Sequence, residues 1–173
     1  MLTELLPYAL AFVAGLIVKI VDWLDDEKKS KNPGKYVLAL IYGVLIGYLI
    51  GTASFSMIFL AALVAQVFAR KIDTTAHLLG FAASVLSLLF FGVPAFDMTF
   101  FLAFLVLAFL DEVDFVGKLR PLTEYRLFLK IGAAVPLLTG RWDYFAGIIA
   151  FDAGYELFGY LSKRKSKAEN RKR

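Results

Sequence analysis

Seven apolar stretches fill most of this chain, and the links between them are too short to hold a soluble domain. Apolar residue types make up 60% of the sequence, compared with roughly half in soluble proteins. Because backbone groups in a bilayer must hydrogen-bond to one another, such stretches favour helices over isolated strands. We therefore expect an all-α, polytopic membrane helix bundle of about seven transmembrane helices, which forms a single transmembrane domain over residues 1–173 and lies in the cell membrane. The stretches are approximately 5–22, 36–52, 54–70, 77–93, 97–110, 126–140 and 143–161.

The charges in the links predict the orientation of the bundle, because Lys and Arg are retained on the cytoplasmic side of a membrane. Basic residues follow the first, third, fifth and seventh stretches, whereas Arg141 is the lone cation of the links on the other side. We therefore expect the N-terminus outside and the C-terminus inside, with residues 162–173 as a basic cytoplasmic tail. Such a tail is typical of a solvated or lipid-facing segment, and no nucleic-acid partner is expected.

Ten residues of the first half recur in the second half, each 89 positions later and without a gap. Pairs of Leu or Ala are expected between any two apolar helices, but a paired acidic motif, a paired Lys and paired Tyr and Gly residues are not. We therefore predict two parallel repeats, at about 5–71 and 97–161, joined by a linker helix at about 77–93. The first copies are Asp22, Asp25, Lys29, Tyr36, Leu38, Leu40, Gly43, Leu49, Gly51 and Ala61, and the second copies are Asp111, Asp114, Lys118, Tyr125, Leu127, Leu129, Gly132, Leu138, Gly140 and Ala150.

This three-plus-one-plus-three plan resembles that of the sugar-exporting SWEET family and the PQ-loop proteins. The proline-glutamine motif of those families is not found in the chain, so the resemblance covers the plan alone. Gly47 and Pro136 are poor helix residues at equivalent positions of the two repeats. A hinge between the repeats and simple close packing of helices would each explain them.

The paired acidic motifs predict a metal site. In each DxxD motif the two carboxylates are three residues apart, so they lie on one face of a helix. If the repeats pack about a pseudo-twofold axis, four carboxylates face one another and would hold one or two Mg²⁺ ions, which would bind a diphosphate. The alternative is that these charges are solvated at the membrane edge or paired with neighbouring Lys residues. The predicted metal ligands are Asp22, Asp25, Asp111 and Asp114.

Basic residues beside these motifs are candidates for contacts with the phosphates of a bound ligand, or they are ordinary residues of the cytoplasmic side. They are Lys29, Lys118 and Arg120. The first motif, in the segment DWLDDEKKSKNPGK, resembles the Asp-rich loops of UbiA-type prenyltransferases. The resemblance covers that segment, is poorer at DEVDFVGKLRP, and lacks the Asn that opens the family's motif, where this chain has Val21. It implies that Mg²⁺ held by the Asp residues would neutralise a leaving diphosphate.

Two acidic residues lie inside the last apolar stretch. Asp152 is near its middle, where a charged carboxylate costs at least ~2.5 kcal/mol, so we expect it to face the bundle interior or a wet cavity, or to be protonated. Glu156 follows one helical turn later, within predicted reach of Lys130. These three residues are predicted catalytic groups of an enzyme, or they form a structural salt bridge. A polar cavity on the cytoplasmic side is predicted to be lined by Lys19, Asp22, Asp25, Asp111, Glu112, Asp114, Lys130, Asp152 and Glu156.

Three function classes fit these features. The first, which we expect, is a magnesium-dependent enzyme that acts on a lipid or prenyl phosphate at the cytoplasmic leaflet, and the other two are alternatives to it. Another is a small transporter or channel with a cation- or proton-coupled site between the repeats, at Asp152 and Glu156. The third is a structural membrane subunit. The expected partners are membrane lipids and either a lipid-phosphate or a small-solute substrate. Cysteine is absent and His77 is the single histidine, which excludes cysteine nucleophiles and disfavours zinc.

Overall fold

A computed structural model describes residues 2–26, 32–92, 95–113, 122 and 125–170 of the chain. Within those residues the fold is all-helical, with seven α-helices and no strand. Each predicted apolar stretch overlaps one of the helices. Their bounds are Leu2–Asp26 (α1), Gly34–Thr52 (α2), Ser56–Phe68 (α3), Thr75–Phe91 (α4), Met98–Asp111 (α5), Leu127–Ala134 (α6) and Asp143–Asn170 (α7).

Six of the helices form a ring. Each packs against the next in the order α1, α2, α3, α5, α6 and α7, and α7 packs back against α1. The remaining helix, α4, packs along α2. Side chains that are almost completely inaccessible to solvent, including Leu49, Ile58 and Phe104, lie between the ring helices and form the core.

Glycines allow the closest helix contacts of the fold. A Cβ atom on Gly15 of α1 would lie 2.0 Å from the backbone oxygen of Phe151, and one on Gly154 of α7 would lie 2.0 Å from the backbone oxygen of Phe12. Because real atoms do not approach so closely, the two helices can meet at this distance only through these glycines. Gly47 of α2 has the same role against α4, where a Cβ would lie 2.4 Å from the backbone oxygen of Ser84.

Local sequence explains several helix ends. The side chain of Thr74 accepts the backbone N–H of His77 at the start of α4, and Asp97 accepts two backbone N–H groups at the start of α5. After Ala134 the chain continues as a 3-10 helix, Val135–Thr139, because Pro136 removes a backbone donor from the helical ladder. At the other end of the chain, α7 continues through most of the predicted tail to Asn170, since Lys, Arg, Ala and Glu are good helix formers.

Two helical segments, Thr3–Asp25 and Gly34–Thr52, are long and apolar enough to cross a membrane by themselves. Inside the protein, 28% and 33% of their apolar windows are buried. The apolar helices α3 to α6 are shorter, and α7 carries Asp152 and Glu156 within its apolar part. These two helices are compatible with a membrane location by length and composition alone.

Candidate functional site

A cavity of about 240 Å³ lies between the helices of the ring. Residues of all seven helices line it, including three from α4, so the wall joins both halves of the chain. Its apolar part is formed by side chains from all seven helices: Val18, Ile46, Ile58, Phe59, Ala62, Leu63, Phe81, Ala108, Leu129, Ile148 and Phe151. A cavity built in this way can accommodate an apolar group away from water.

Charged and polar residues line the other part of the cavity. They come from the C-terminal ends of α1, α3 and α5 and from the N-terminal ends of α4 and α6, which therefore share one end of the bundle. This end is called the charged mouth below, and its residues are Asp22, Gln66, Lys71, His77, Asp111, Glu112 and Arg126. The mouth includes three residues of the predicted polar cavity, Asp22, Asp111 and Glu112.

Asp22 is held by side chains from two other helices. The hydroxyl of Tyr155 on α7 donates a hydrogen bond of 2.7 Å to Asp22 Oδ2. The ring of His77 on α4 contacts Asp22 from its other side, with Nε2 at 3.3 Å from Oδ1. The second nitrogen of His77, Nδ1, lies 3.3 Å from the hydroxyl of Tyr42 on α2. One carboxylate of the first DxxD motif thus connects four helices at the charged mouth.

Tyr155 organises two cations as well as Asp22. Lys19 Nζ donates a hydrogen bond of 3.2 Å to its hydroxyl and lies 4.6 Å from the centre of its ring. The guanidinium carbon of Arg126 lies 5.0 Å from the same ring centre. Both distances fit cation–π contacts. Sequence reasoning missed Tyr155, although its position three residues after Asp152 places the two on neighbouring parts of one helical face.

Asp25, the second acid of the first motif, holds helix ends together. It forms a short ion pair with Lys35 at the start of α2, and Thr74 Oγ1 donates a hydrogen bond of 2.9 Å to its Oδ2. Thr74 is also the cap of α4, so Asp25 joins the end of α1 to the beginnings of α2 and α4. Its side chain is 7% exposed, and it is not among the residues that line the cavity.

Asp111, the counterpart of Asp22 in the second half, makes different contacts. Its Oδ1 accepts the backbone N–H of Phe128 at 3.0 Å, and its Oδ2 accepts that of Leu129 at 2.8 Å. The carboxylate therefore caps α6 from the end of α5, while the preceding residue, Arg126, supplies no side-chain cap. One acid of each copy lines the cavity, but the two acids hold different partners.

The buried acid of α7, Asp152, pairs with two cations. Lys130 Nζ lies 2.9 Å from its Oδ2, and Arg126 Nη1 lies 3.9 Å from its Oδ1. Oδ2 is buried, and its partner among the described residues is the charged Nζ of Lys130. The ion pair of Lys130 is thus with Asp152 and not with the predicted partner Glu156, whose side chain is exposed.

Four of the predicted site residues, Lys29, Asp114, Lys118 and Arg120, lie outside the described residues. Among the residues that are described, no group of three or more His, Asp or Glu side chains is arranged to hold a metal ion. Both oxygens of Asp111 are occupied by backbone N–H groups, and both oxygens of Asp22 contact Tyr155 or His77. These carboxylates are arranged for contacts within the protein, and magnesium binding stays a prediction.

At the opposite end of the bundle, an ion pair and packed rings fill the space between the helix starts. Arg141 donates hydrogen bonds of 3.1 and 3.0 Å to Asp143 and one of 3.2 Å to the backbone oxygen of Ser54. Its guanidinium lies 4.7 Å from the ring centre of Tyr144. Neighbouring rings pack at centroid distances of 4.9 to 5.5 Å, in the pairs Tyr8–Phe55, Tyr8–Trp142, Phe100–Tyr144 and Phe104–Tyr144.

No protein-family model, no curated protein and no solved structure matches this chain. Function is therefore inferred from the geometry of the cavity and its two ends.

Proposed function

We propose that this protein is a multi-pass membrane transporter that binds a small substrate in the cavity between its two halves. The observation that carries this proposal is the difference between the two ends of the bundle. Asp22, His77 and Arg126 line the cavity, and their side chains are 18%, 23% and 29% exposed, so solvent reaches the charged mouth. At the other end, Arg141 and the aromatic rings lie between the helix starts, and none of them is among the residues that line the cavity. A site open to one side only is what alternating access requires.

The distribution of apolar side chains supports a location inside the membrane. Large apolar residues are exposed on the outer surface of several helices, among them Leu86, Leu89 and Phe90 of α4 and Leu138 after α6. Soluble monomers rarely expose a large continuous apolar surface, because it costs free energy in water. In a bilayer the same surface contacts lipid, so the arrangement supports several spanning helices in addition to the two longest.

The neighbour order of the ring supports the predicted repeat. If α1 is exchanged with α5, α2 with α6 and α3 with α7, every pair of neighbouring helices in the ring becomes another pair of neighbours. The cavity lies between these two sets of helices, as the substrate site does in transporters built from repeats. Pro136 ends the regular part of α6, whereas its counterpart Gly47 lies within α2 and packs against α4. The α-helical hydrogen bonding is therefore interrupted in α6 and not in α2.

Flux through sealed vesicles that contain the full chain tests the proposal. The vesicles are loaded with a panel of labelled amino acids, sugars and organic acids, and efflux is compared with that from protein-free vesicles. Arg141→Ala removes its hydrogen bonds to Asp143 and Ser54 at the end that the cavity does not reach, so we expect faster and less selective efflux. Arg164→Ala, which removes an exposed arginine farther along α7, is the matched control. The absence of protein-dependent efflux for every panel member would count against transport.

The second candidate function is the magnesium-dependent conversion of a lipid or prenyl phosphate at the cytoplasmic leaflet. Its support is the presence of Arg126 and Lys71 beside an apolar wall, since a phosphate prefers such cations and an isoprenoid tail prefers apolar side chains. In this case Asp22, Asp25, Asp111 and Asp114 would hold Mg²⁺, which would neutralise charge on a leaving diphosphate. The test is turnover of a prenyl phosphate with and without Mg²⁺, and substitution of any of these Asp residues by Asn should abolish it. The absence of both flux and turnover would favour the structural subunit.

A further inference from the structure

We infer that the cavity binds a small zwitterion with an apolar side group, of which an aliphatic or aromatic amino acid is the simplest example. The inference rests on the proposed transport function, because it assigns a substrate class to the same cavity. Three features of the cavity carry it: charges of both signs at the mouth, a fixed arrangement of one charge of each sign, and an apolar interior.

The charged mouth contains groups of both signs. Asp22, Asp111 and Glu112 are acidic, while Lys71 and Arg126 are basic. A ligand with a single negative charge could pair with the two cations but would be repelled by the three carboxylates. A ligand with a single positive charge could pair with the carboxylates but would be repelled by the two cations. A ligand that carries both charges can pair each one with a group of opposite sign, and this complementarity favours it over singly charged analogues.

Tyr155 fixes the arrangement of one acid and one base. Its hydroxyl donates to Asp22, and the guanidinium of Arg126 lies over its ring. The opposite charges are thus held at the edge and on the face of a single aromatic ring. In this arrangement the ammonium group of an amino acid would lie near Asp22, whose oxygens each keep a second lone pair beside their contacts with Tyr155 and His77. Its carboxylate would lie near Arg126, which offers a planar set of N–H donors.

The surroundings of Arg126 leave its donors for a ligand. Asp152 Oδ1 is 3.9 Å from its Nη1, which is beyond hydrogen-bond distance, so Asp152 balances the charge of the guanidinium without accepting one of its N–H groups there. The backbone of Arg126 has a φ of 50°, in the left-handed region that residues other than glycine rarely adopt. Such backbone conformations concentrate at functional sites.

The apolar part of the cavity accommodates the side group. Ile46, Phe59, Phe81 and Phe151 form part of its wall, with no charge among them. The volume of about 240 Å³ is below the range of roughly 300–1,000 Å³ that is typical of sites for drug-sized ligands. A single apolar amino acid matches this size and this separation of polar and apolar walls better than a complete lipid does.

The experiment measures binding of four probes to the full chain in detergent by isothermal titration calorimetry. The probes are leucine, leucinamide, which lacks the carboxylate, isocaproate, which lacks the ammonium group, and glycine, which lacks the side group. We expect leucine to bind about tenfold or more tightly than each of the other three, because each analogue loses one charged or apolar contact. These comparisons use the unmodified protein, so they hold even if a variant fails to fold.

Two substitutions assign the contacts. Arg126→Gln should weaken leucine binding to the level of leucinamide and leave leucinamide unchanged, whereas Asp22→Asn should weaken leucine binding to the level of isocaproate. Arg164→Gln and Asp73→Asn change exposed residues of the same types and should leave all affinities unchanged. An equal loss for every probe in Arg126→Gln would overturn the assignment of the carboxylate to Arg126.

Two further outcomes separate this inference from the transport proposal. Tighter binding of dimethylallyl phosphate than of leucine would overturn the zwitterion inference. Efflux of another solute from vesicles, without any preference for leucine, would also overturn the zwitterion inference but would leave the transport proposal intact. Conversely, the expected binding pattern without efflux would support the zwitterion site and count against transport.

Discussion

Lys130 of α6 and Asp152 of α7 form an ion pair across the second half of the protein, with 2.9 Å between Nζ and Oδ2. Their side chains are 20% and 8% exposed. The equivalent positions of the first half, 89 residues earlier, hold Ile41 and Leu63. The pair is therefore a feature of one half only, and it makes the two halves unequal.

Breaking this ion pair from one side should destabilise the protein strongly. Lys130→Met leaves the buried carboxylate with the more distant Arg126, and Asp152→Asn leaves two cations close together. Either change is expected to lower the free energy of unfolding by about 3–5 kcal/mol, because an uncompensated charge then remains buried. Denaturant unfolding of the detergent-solubilised protein measures the effect.

The double variant and a neighbouring acid provide the controls for that prediction. Lys130→Met combined with Asp152→Asn should cost less than the sum of the single changes, since each removes the partner that the other leaves unpaired. Glu156→Gln, one turn farther along α7 and exposed, should change the stability by at most about 0.5 kcal/mol. Simple additivity in the double variant would show that the two side chains do not interact.

Asp111 should stabilise the beginning of α6. Asp111→Ala removes the acceptor of two backbone N–H groups, and we expect a loss of about 0.5–2 kcal/mol. Hydrogen exchange should become faster at Phe128 and Leu129 in particular. Asp22→Ala, at the equivalent position of the first half, should leave exchange at these two amides unchanged, and equal acceleration in both variants would contradict a local capping role.

The contact between α1 and α7 should depend on its glycines. Gly15→Ala and Gly154→Ala each place a methyl group against a backbone oxygen, so the helices must separate, and we expect a loss of about 1–3 kcal/mol in thermal unfolding. Gly159→Ala is the matched control on α7, because its added methyl would meet only Lys19 Cε at 3.7 Å. That change should be neutral or stabilising by up to about 1 kcal/mol, since Ala favours helix more than Gly does.

The predicted membrane topology can be measured directly because the chain has no cysteine. Single cysteines at Asp73 and Lys163 should be protected from a membrane-impermeant maleimide in intact cells and labelled after permeabilisation. A cysteine at Ala95, in the link between α4 and α5, should be labelled in intact cells. All three side chains are exposed, so burial within the protein does not limit labelling. Labelling of all three in intact cells would contradict a multi-pass topology.

Particular residues show which parts of the site could be predicted. The cost of burying a charge indicated that Asp152 faces the interior, and it does so at 6% exposure. The same reasoning gave Lys130 the wrong partner, Glu156 instead of Asp152, because spacing along one helix does not determine how the neighbouring helix is rotated. His77, interpreted by itself, gave no sign of its contacts with Asp22 and Tyr42, which come from other helices.

Sequence alone determined the helices, because apolar length, charged links and residues such as Thr74, Asp97 and Pro136 act within a few positions of the chain. The positions of the basic links also predicted that Asp22 and Asp111 lie at the same end of the bundle. Only the tertiary structure decided what each carboxylate contacts. The distance and rotation between helices depend on packing at points such as Gly15 and Gly154, and those determine that Asp22 meets Tyr155 and His77 while its counterpart Asp111 caps α6.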